Sequence, residues 1–418
     1  MKKVNKMDDG QNFKKHYIEI LLIAILILYS VNFNGIGFLI MMIFLPIYII
    51  YSWKQHFNKT YLISLFILVL FGVTFSLSVY SFGLMVINTI IATVVFPIVL
   101  YGVGYMIGET DTYYTKSYKT IFILFVLLNI FILLSYVKTI SVFGSLEGAK
   151  SIYQERALID VWGKDSIKAT VVTVYLSFSL AVFPAFFIKN PKIKKGKILL
   201  LKTIIMFCAL SSFYITAQMA SRTSIIIIGL SSLMIYLFLH GFSLKKIIIP
   251  IITLLGIILM WVLFQSNIFG IKTWWSQTSV YNRFQSSGLE SSRYDAWKEV
   301  IKNMFNYPLG GRKIDISISY AHNLWLDVVY DAGVLPFILL IAFTLIAAFS
   351  LVRFIRLDFP VFLKALLISI YVAFFTIFMT EPILATKERF YFTVFCLIVG
   401  VTQGLNMNFQ KRKFNLKK

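Results

Sequence analysis

Residues 61–82 read YLISLFILVLFGVTFSLSVYSF, twenty-two positions without a charge. At about 1.5 Å of rise per residue, a helix of this length covers roughly 30 Å, the thickness of a bilayer's hydrocarbon core. Working outward, eleven further apolar runs occupy roughly residues 17–33, 36–53, 84–107, 119–138, 169–188, 198–218, 224–240, 247–264, 332–352, 360–380 and 389–408. Tyr51, Trp53, Tyr61 and Tyr391 mark several of the ends, where interfacial aromatics belong. The first run follows sixteen polar, Lys-rich residues and leads at once into a second, so it reads as a retained helix rather than a cleaved signal. Composition agrees: 59% of the chain is apolar, 14% is charged, and the mean hydropathy is +0.81. These values exclude a soluble enzyme and a disordered chain. The two cysteines, Cys208 and Cys396, both lie in apolar runs, leaving no disulfide framework or zinc cluster. The expected fold is all-α: a polytopic transmembrane helical bundle of about twelve spans, one domain over residues 1–418.

The net charge of +22 invites a nucleic-acid reading, and its distribution removes it. With twelve alternating spans, the side bearing both termini holds 25 of the 40 Lys and Arg and 6 of the 18 Asp and Glu, a net +19. The opposite side nets +3. Such asymmetry orients a membrane protein with its basic loops in the cytoplasm, so both termini are expected there and no nucleic-acid partner is needed. Two segments are too long to be plain connectors, residues 139–168 and 265–331, and both fall on the outer side. The second contains amphipathic pieces and is expected to be a large extracytoplasmic catalytic loop.

The chemistry-capable residues gather on that outer side. Arg222 sits in Gln218-Met219-Ala220-Ser221-Arg222-Thr223, a polar notch between two apolar runs. An arginine at that depth either faces a polar cavity or an anion, or snorkels to the interface. In the stretch from Ser291 to Met304, Trp297, Val300, Ile301 and Met304 recur at helical spacing, which fits an interfacial helix. Arg293 lies one turn before Trp297 and is expected on the same face. Pro308-Leu309-Gly310-Gly311 is a breaker and turn cluster, and His322 follows in Ala321-His322-Asn323 at the start of an apolar helix. The other histidines, His16, His56 and His240, fall on the inner side. No GxxxxGK[ST] or HExxH motif is present, and Gly102-Val103-Gly104 lies at the end of a span rather than in a phosphate loop. No metal site is indicated.

Arg293, Trp297, Pro308, Gly310, Gly311, Ala321, His322, Asn323, Asp331, Ala332 and Gly333, in this order, resemble the O-antigen ligase and polymerase superfamily. The Ser221-Arg222 turn and Arg156 in the earlier outer segment add to the likeness. About sixty residues carry the distinctive pattern. One departure is Lys164-Asp165-Ser166, where the family often has an Asn-rich stretch.

The resemblance implies a GT-C-like membrane glycosyltransferase, independent of metals and cofactors, that uses a polyprenyl-diphosphate-linked glycan as donor. His322, Arg222 and Arg293 are the expected catalytic residues. Arg156, Arg283, Asn323 and Trp297 are expected to bind the diphosphate or glycan. Without a metal, charge growing on the diphosphate must be met by arginines, whose planar fork pairs with phosphate oxygens. His322 either accepts the acceptor hydroxyl's proton or donates to the diphosphate. The expected reaction is polymerisation of capsule- or O-antigen-type repeats at the outer face of a bacterial cytoplasmic membrane. Transfer of a finished glycan to a lipid or protein acceptor is the alternative, and a lipid-linked sugar transporter or flippase is a third reading. Expected partners are the lipid-linked oligosaccharide, the bilayer, and possible flippase and chain-length regulator proteins.

Overall fold

The computed structural model describes residues 58–84, 87–111, 115–153, 156–163, 165–188, 195–240, 292–384 and 389–415. The expected spans 17–33, 36–53 and 247–264, the first part of the 265–331 loop, and Arg283 lie outside the described residues.

The described chain is 81% helical. Its helices are α1 (Lys59–Ser81), α2 (Ile87–Thr110), α3 (Thr115–Phe143), α4 (Leu146–Tyr153), α5 (Ala169–Val182), α6 (Lys195–Gln218), α7 (Thr223–His240), α8 (Ser292–Asn303), α9 (Leu324–Ala332), α10 (Val334–Arg356), α11 (Val361–Thr380) and α12 (Arg389–Asn415). Among the described residues, nine helices are long and apolar enough to cross a membrane: α1–α3, α5–α7 and α10–α12. They coincide with nine of the expected spans, and the chain is an all-α polytopic membrane protein.

One element departs from the helical expectation. Residues Ala157–Ile159 (β1) and Ser166–Lys168 (β2) pair as a short antiparallel ribbon between α4 and α5. The Asp160 side chain accepts from the Trp162 amide to start its turn, and Lys138 Nζ on α3 donates to the carbonyls of Asp160 and Gly163 at 2.9 and 2.7 Å. The ribbon is thereby strapped to the end of a spanning helix, and Arg156 stands at its base, its carbonyl accepting from the Ala169 amide.

Packing is closest between α2 and α12, which run parallel through Gly104 and Gly108 on one side and Gly400 and Gly404 on the other. A Cβ at Gly104 would stand 2.0 Å from the Leu397 carbonyl oxygen, and one at Gly404 would stand 2.0 Å from that of Tyr105. Two small-xxx-small faces therefore bring the backbones together, the device that joins helices where lipid removes the hydrophobic incentive to associate. Gly104, which the sequence placed at the end of a span, instead makes this contact within α2. Around the pair, a core rich in Phe includes Phe71, Phe343, Phe374, Phe378, Phe392 and Phe395.

The bundle has two chemically different ends. At one, Asn408 on α12 donates to the carbonyls of Glu109 and Asp111, Lys411 pairs with Glu109, and Arg412 donates to the Asp111 carbonyl. At the other, α1, α3, α6 and α11 end, α5, α7, α10 and α12 begin, and the segment 292–333 packs against α1, α10 and α11.

Candidate functional site

Residues 320–333 are built as two linked turns. Asp327, in the first turn of α9, turns its carboxylate back on the preceding loop and accepts from the amides of Ala321 (2.7 Å) and Asn323 (3.1 Å). The Asn323 side chain caps α9 by accepting from the Leu326 amide at 3.2 Å. Trp297 on α8 donates its indole N–H to the Ala321 carbonyl at 2.6 Å. Held from both sides, His322 adopts φ of 55°, a left-handed conformation that costs an L-residue about 1–2 kcal/mol. Trp297 and Asn323 thus shape the loop that presents His322.

The second turn joins Pro308–Gly311 to Asp331–Gly333. Amide-to-carbonyl bonds run from Gly311 to Asp331 (3.0 Å), from Arg312 to Tyr330 (2.9 Å) and from Val334 to Pro308 (2.9 Å). Arg312 Nε also donates to the Asp331 carboxylate at 2.7 Å; burial works against the guanidinium's charge, but the Asp331 hydrogen bond and charge, together with Tyr320, more than offset it and raise the pKa. Gly310 and Gly333 have φ of 76° and 91°, and a Cβ on either would strike the other's turn. The Pro308, glycine and Asp331 pattern is therefore an interlock that seats the His322 loop on α10. Arg312 was not singled out from the sequence.

The apolar stripe expected on α8 is partly rearranged. Ala296 and Val300 are buried, with Trp297 and Met304 packed beside them against Ile314, Ala321, Leu326 and Val329. Ile301, at the margin of that face, is exposed. The stripe's partner is protein, which leaves any lipid contact to the exposed flank of the helix.

Arg293, at the start of α8, donates Nη1 to the Thr380 carbonyl at 2.6 Å, where α11 ends. Its Nη2 stands 4.0 Å from Oε2 of Glu381, and His322 Nδ1 stands 3.9 Å from the same oxygen. Glu381 is only 5% exposed, and among the described residues neither its Oε2 nor His322 Nδ1 has a hydrogen-bond partner. An orphaned carboxylate oxygen at such burial is costly unless a ligand or a small side-chain movement completes it.

Arg156 and Arg222 approach from the other side. Arg156 Nη1 donates to the Met219 carbonyl at 2.7 Å and to that of Ala220 at 3.4 Å, clamping the turn between α6 and α7 in which Ala220 has φ of 52°. That turn carries Arg222. Burial and the neighbouring Arg222 charge both lower the Arg156 pKa, while Glu381 raises it. Arg293 and His322 thus stand within 4.0 Å of one buried carboxylate, Arg156 feels the charge of that carboxylate, and Arg222 neighbours Arg156. These five side chains come from five separate segments and meet at one end of the bundle.

His322, Arg222, Arg293 and Arg156, all singled out from the sequence, are brought together, and Trp297 and Asn323 lie immediately behind them. Glu381 was missed. Thr380-Glu381-Pro382 is a charged notch between two apolar runs, the same signal that exposed Arg222. Among the described residues, no three His, Cys, Asp or Glu side chains are grouped so as to hold a metal ion. No protein-family model matches this chain, and no curated protein matches it either.

Proposed function

We propose that the protein is a polysaccharide polymerase that joins polyprenyl-diphosphate-linked oligosaccharide repeats at the outer face of a bacterial cytoplasmic membrane. In this reading twelve spans place both termini in the cytoplasm and the His322 end of the bundle outside. The observation that carries it is the meeting of Arg293 and His322 at Glu381, with Arg156 in the field of that carboxylate and Arg222 beside Arg156, at the boundary of a membrane-spanning bundle. A diphosphate anchored by a lipid tail presents its charge at that depth, and clustered guanidiniums are the groups that bind it there.

In the transfer, the acceptor hydroxyl oxygen bonds to the anomeric carbon as the carbon–oxygen bond to the diphosphate breaks. The lipid diphosphate leaves with the electron pair, its growing charge met by Arg222 and Arg293. His322 takes the hydroxyl proton through Nε2, and Glu381, 3.9 Å from Nδ1, orients the imidazole and stabilises the charge it acquires. Arg156 positions Arg222 through the turn it clamps.

The test is extension of a purified polyprenyl-diphosphate-linked repeat by the protein reconstituted in lipid. Lengthening that His322→Ala and Arg222→Ala abolish supports the proposal. Unchanged lengthening by either variant overturns the site. In a deletion strain, accumulation of single lipid-linked repeats is the polymerase outcome, whereas long lipid-linked polymer that never reaches an acceptor identifies a ligase.

A further inference from the structure

Helix α8 and the turn that follows it carry further apolar side chains, exposed and flanking the buried face. Tyr294 and Ile301, seven residues apart, share one side of α8, and Phe305 follows in the turn just past its last residue, Asn303. All three are exposed, Phe305 at 71%, and Leu309 beyond them is 72% exposed. Four large side chains left in water would be a liability in a cap otherwise well packed.

Their height relative to the bundle is set by the turn they belong to. Gly311 lies against the ring of Phe82, just past the end of α1, where an added Cβ would come within 2.7 Å. The Pro308 carbonyl accepts from the Val334 amide at the first residue of α10. The Leu309 backbone is thus held beside the ends of two spanning helices, with its side chain exposed. The exposed stripe of α10 begins immediately below it with Leu335 and Ile338 and continues through Leu345, Phe349 and Val352. Lys298 and Lys302 are exposed on the same helix as Tyr294 and Ile301.

We propose that Tyr294, Ile301, Phe305 and Leu309 form a lipid-docking face that continues the lipid-facing stripe of α10 into the headgroup layer, with Lys298 and Lys302 meeting anionic headgroups. An apolar strip of aromatic and aliphatic side chains flanked by lysines is the composition of an interfacial helix. Docking holds α8, and with it Arg293 and the Trp297 clamp on the His322 loop, at the depth of a lipid's headgroup. The inference concerns the bilayer itself and stands apart from the reaction proposed above.

The experiment labels Phe305→Cys, Leu309→Cys, Leu335→Cys and Ser319→Cys singly with a thiol-reactive fluorophore, in the full chain reconstituted with lipids carrying a nitroxide near the headgroup. Cys208 and Cys396 are buried, so the unaltered chain is the labelling blank. All four positions are on the surface or partly exposed, so the substitutions leave the core intact. The expected result is a loss of fluorescence at 305 and 309 matching that at 335, with none at 319. Labels at 305 and 309 that behave like the one at 319 overturn the proposal. Labels shielded from both the lipid nitroxide and aqueous iodide overturn it too, in favour of a protein partner on that face.

Discussion

The Oε2 atom of Glu381 stands 3.9 Å from Nδ1 of His322, and among the described residues neither atom has a hydrogen-bond partner. The distance is too long for a hydrogen bond and short enough to become one by a modest side-chain movement. Glu381 follows the last residue of α11 and is nearly fully buried, whereas the His322 loop is pinned by Asp327 and Trp297. The pair is therefore poised rather than closed. Glu381→Gln keeps the shape and removes the charge, and turnover is expected to fall about 10²-fold with little change in KM. Glu381→Asp restores part of the loss. A purified Glu381→Gln protein that elongates at the normal rate would remove Glu381 from the mechanism.

Arg156 and Arg222 are linked in two ways. Their charges repel, which lowers the Arg156 pKa beyond the effect of burial, and the Arg156 side chain holds the turn carrying Arg222. Arg156→Ala and Arg222→Ala are each expected to reduce turnover by about 10²-fold. Because Arg156 acts largely through the position of Arg222, the double variant should lose far less than the product of the two single losses. Rates for the four proteins form the cycle. Fully multiplicative losses would show the two arginines acting independently.

The nine described spans were legible because apolar length is a property of one dimension, and no distant partner is needed to recognise 22 uncharged residues at 61–82. The face of α8 was half legible. Periodicity shows that Trp297, Val300 and Met304 share a face, but not whether lipid or protein covers it, and Ile301 lies outside the buried set. The β1–β2 ribbon escaped because strands of three residues carry no period to count. Glu381 escaped for a different reason. A single carboxylate has no pattern, and its importance arises from Arg293 and His322, which are 88 and 59 positions away in the chain. Gly104, Gly108, Gly400 and Gly404 have the spacing of a helix-packing motif, yet only the structure pairs the two motifs.

Asp327 makes a pH prediction of definite sign. Burial, reinforced by Asp331, raises its carboxyl from the ordinary 3.8 to about 7, with the loop amides opposing the rise. A carboxyl raised on folding keeps its proton in the folded chain over a range where the unfolded chain has lost it. The stability this group contributes is therefore fully present below about pH 4 and is lost as pH rises toward about 7. Asp327→Asn does not titrate. The Tm of the unaltered protein minus that of Asp327→Asn should fall between about pH 4 and 7 and level off above, measured in detergent at fixed ionic strength. A difference that is flat or rises across that window contradicts the assignment.

The α2–α12 contact makes the most demanding stability prediction. A single methyl added at Gly404 would lie 2.0 Å from the Tyr105 carbonyl oxygen, and one at Gly104 equally close to that of Leu397. Both obstacles are backbone, so no rotamer change relieves them, and the helices must separate along their length. Overpacking of this kind costs about 1–3 kcal/mol even where side chains can yield. Gly404→Ala is therefore expected to lower thermal stability in detergent by at least that amount. Gly229 on α7 supplies the control, because a Cβ there meets nothing within 4 Å. Gly229→Ala should be neutral or slightly stabilising, since alanine favours helix over glycine by roughly 1 kcal/mol. Equal melting temperatures for the two alanine variants would mean that α2 and α12 do not meet backbone to backbone.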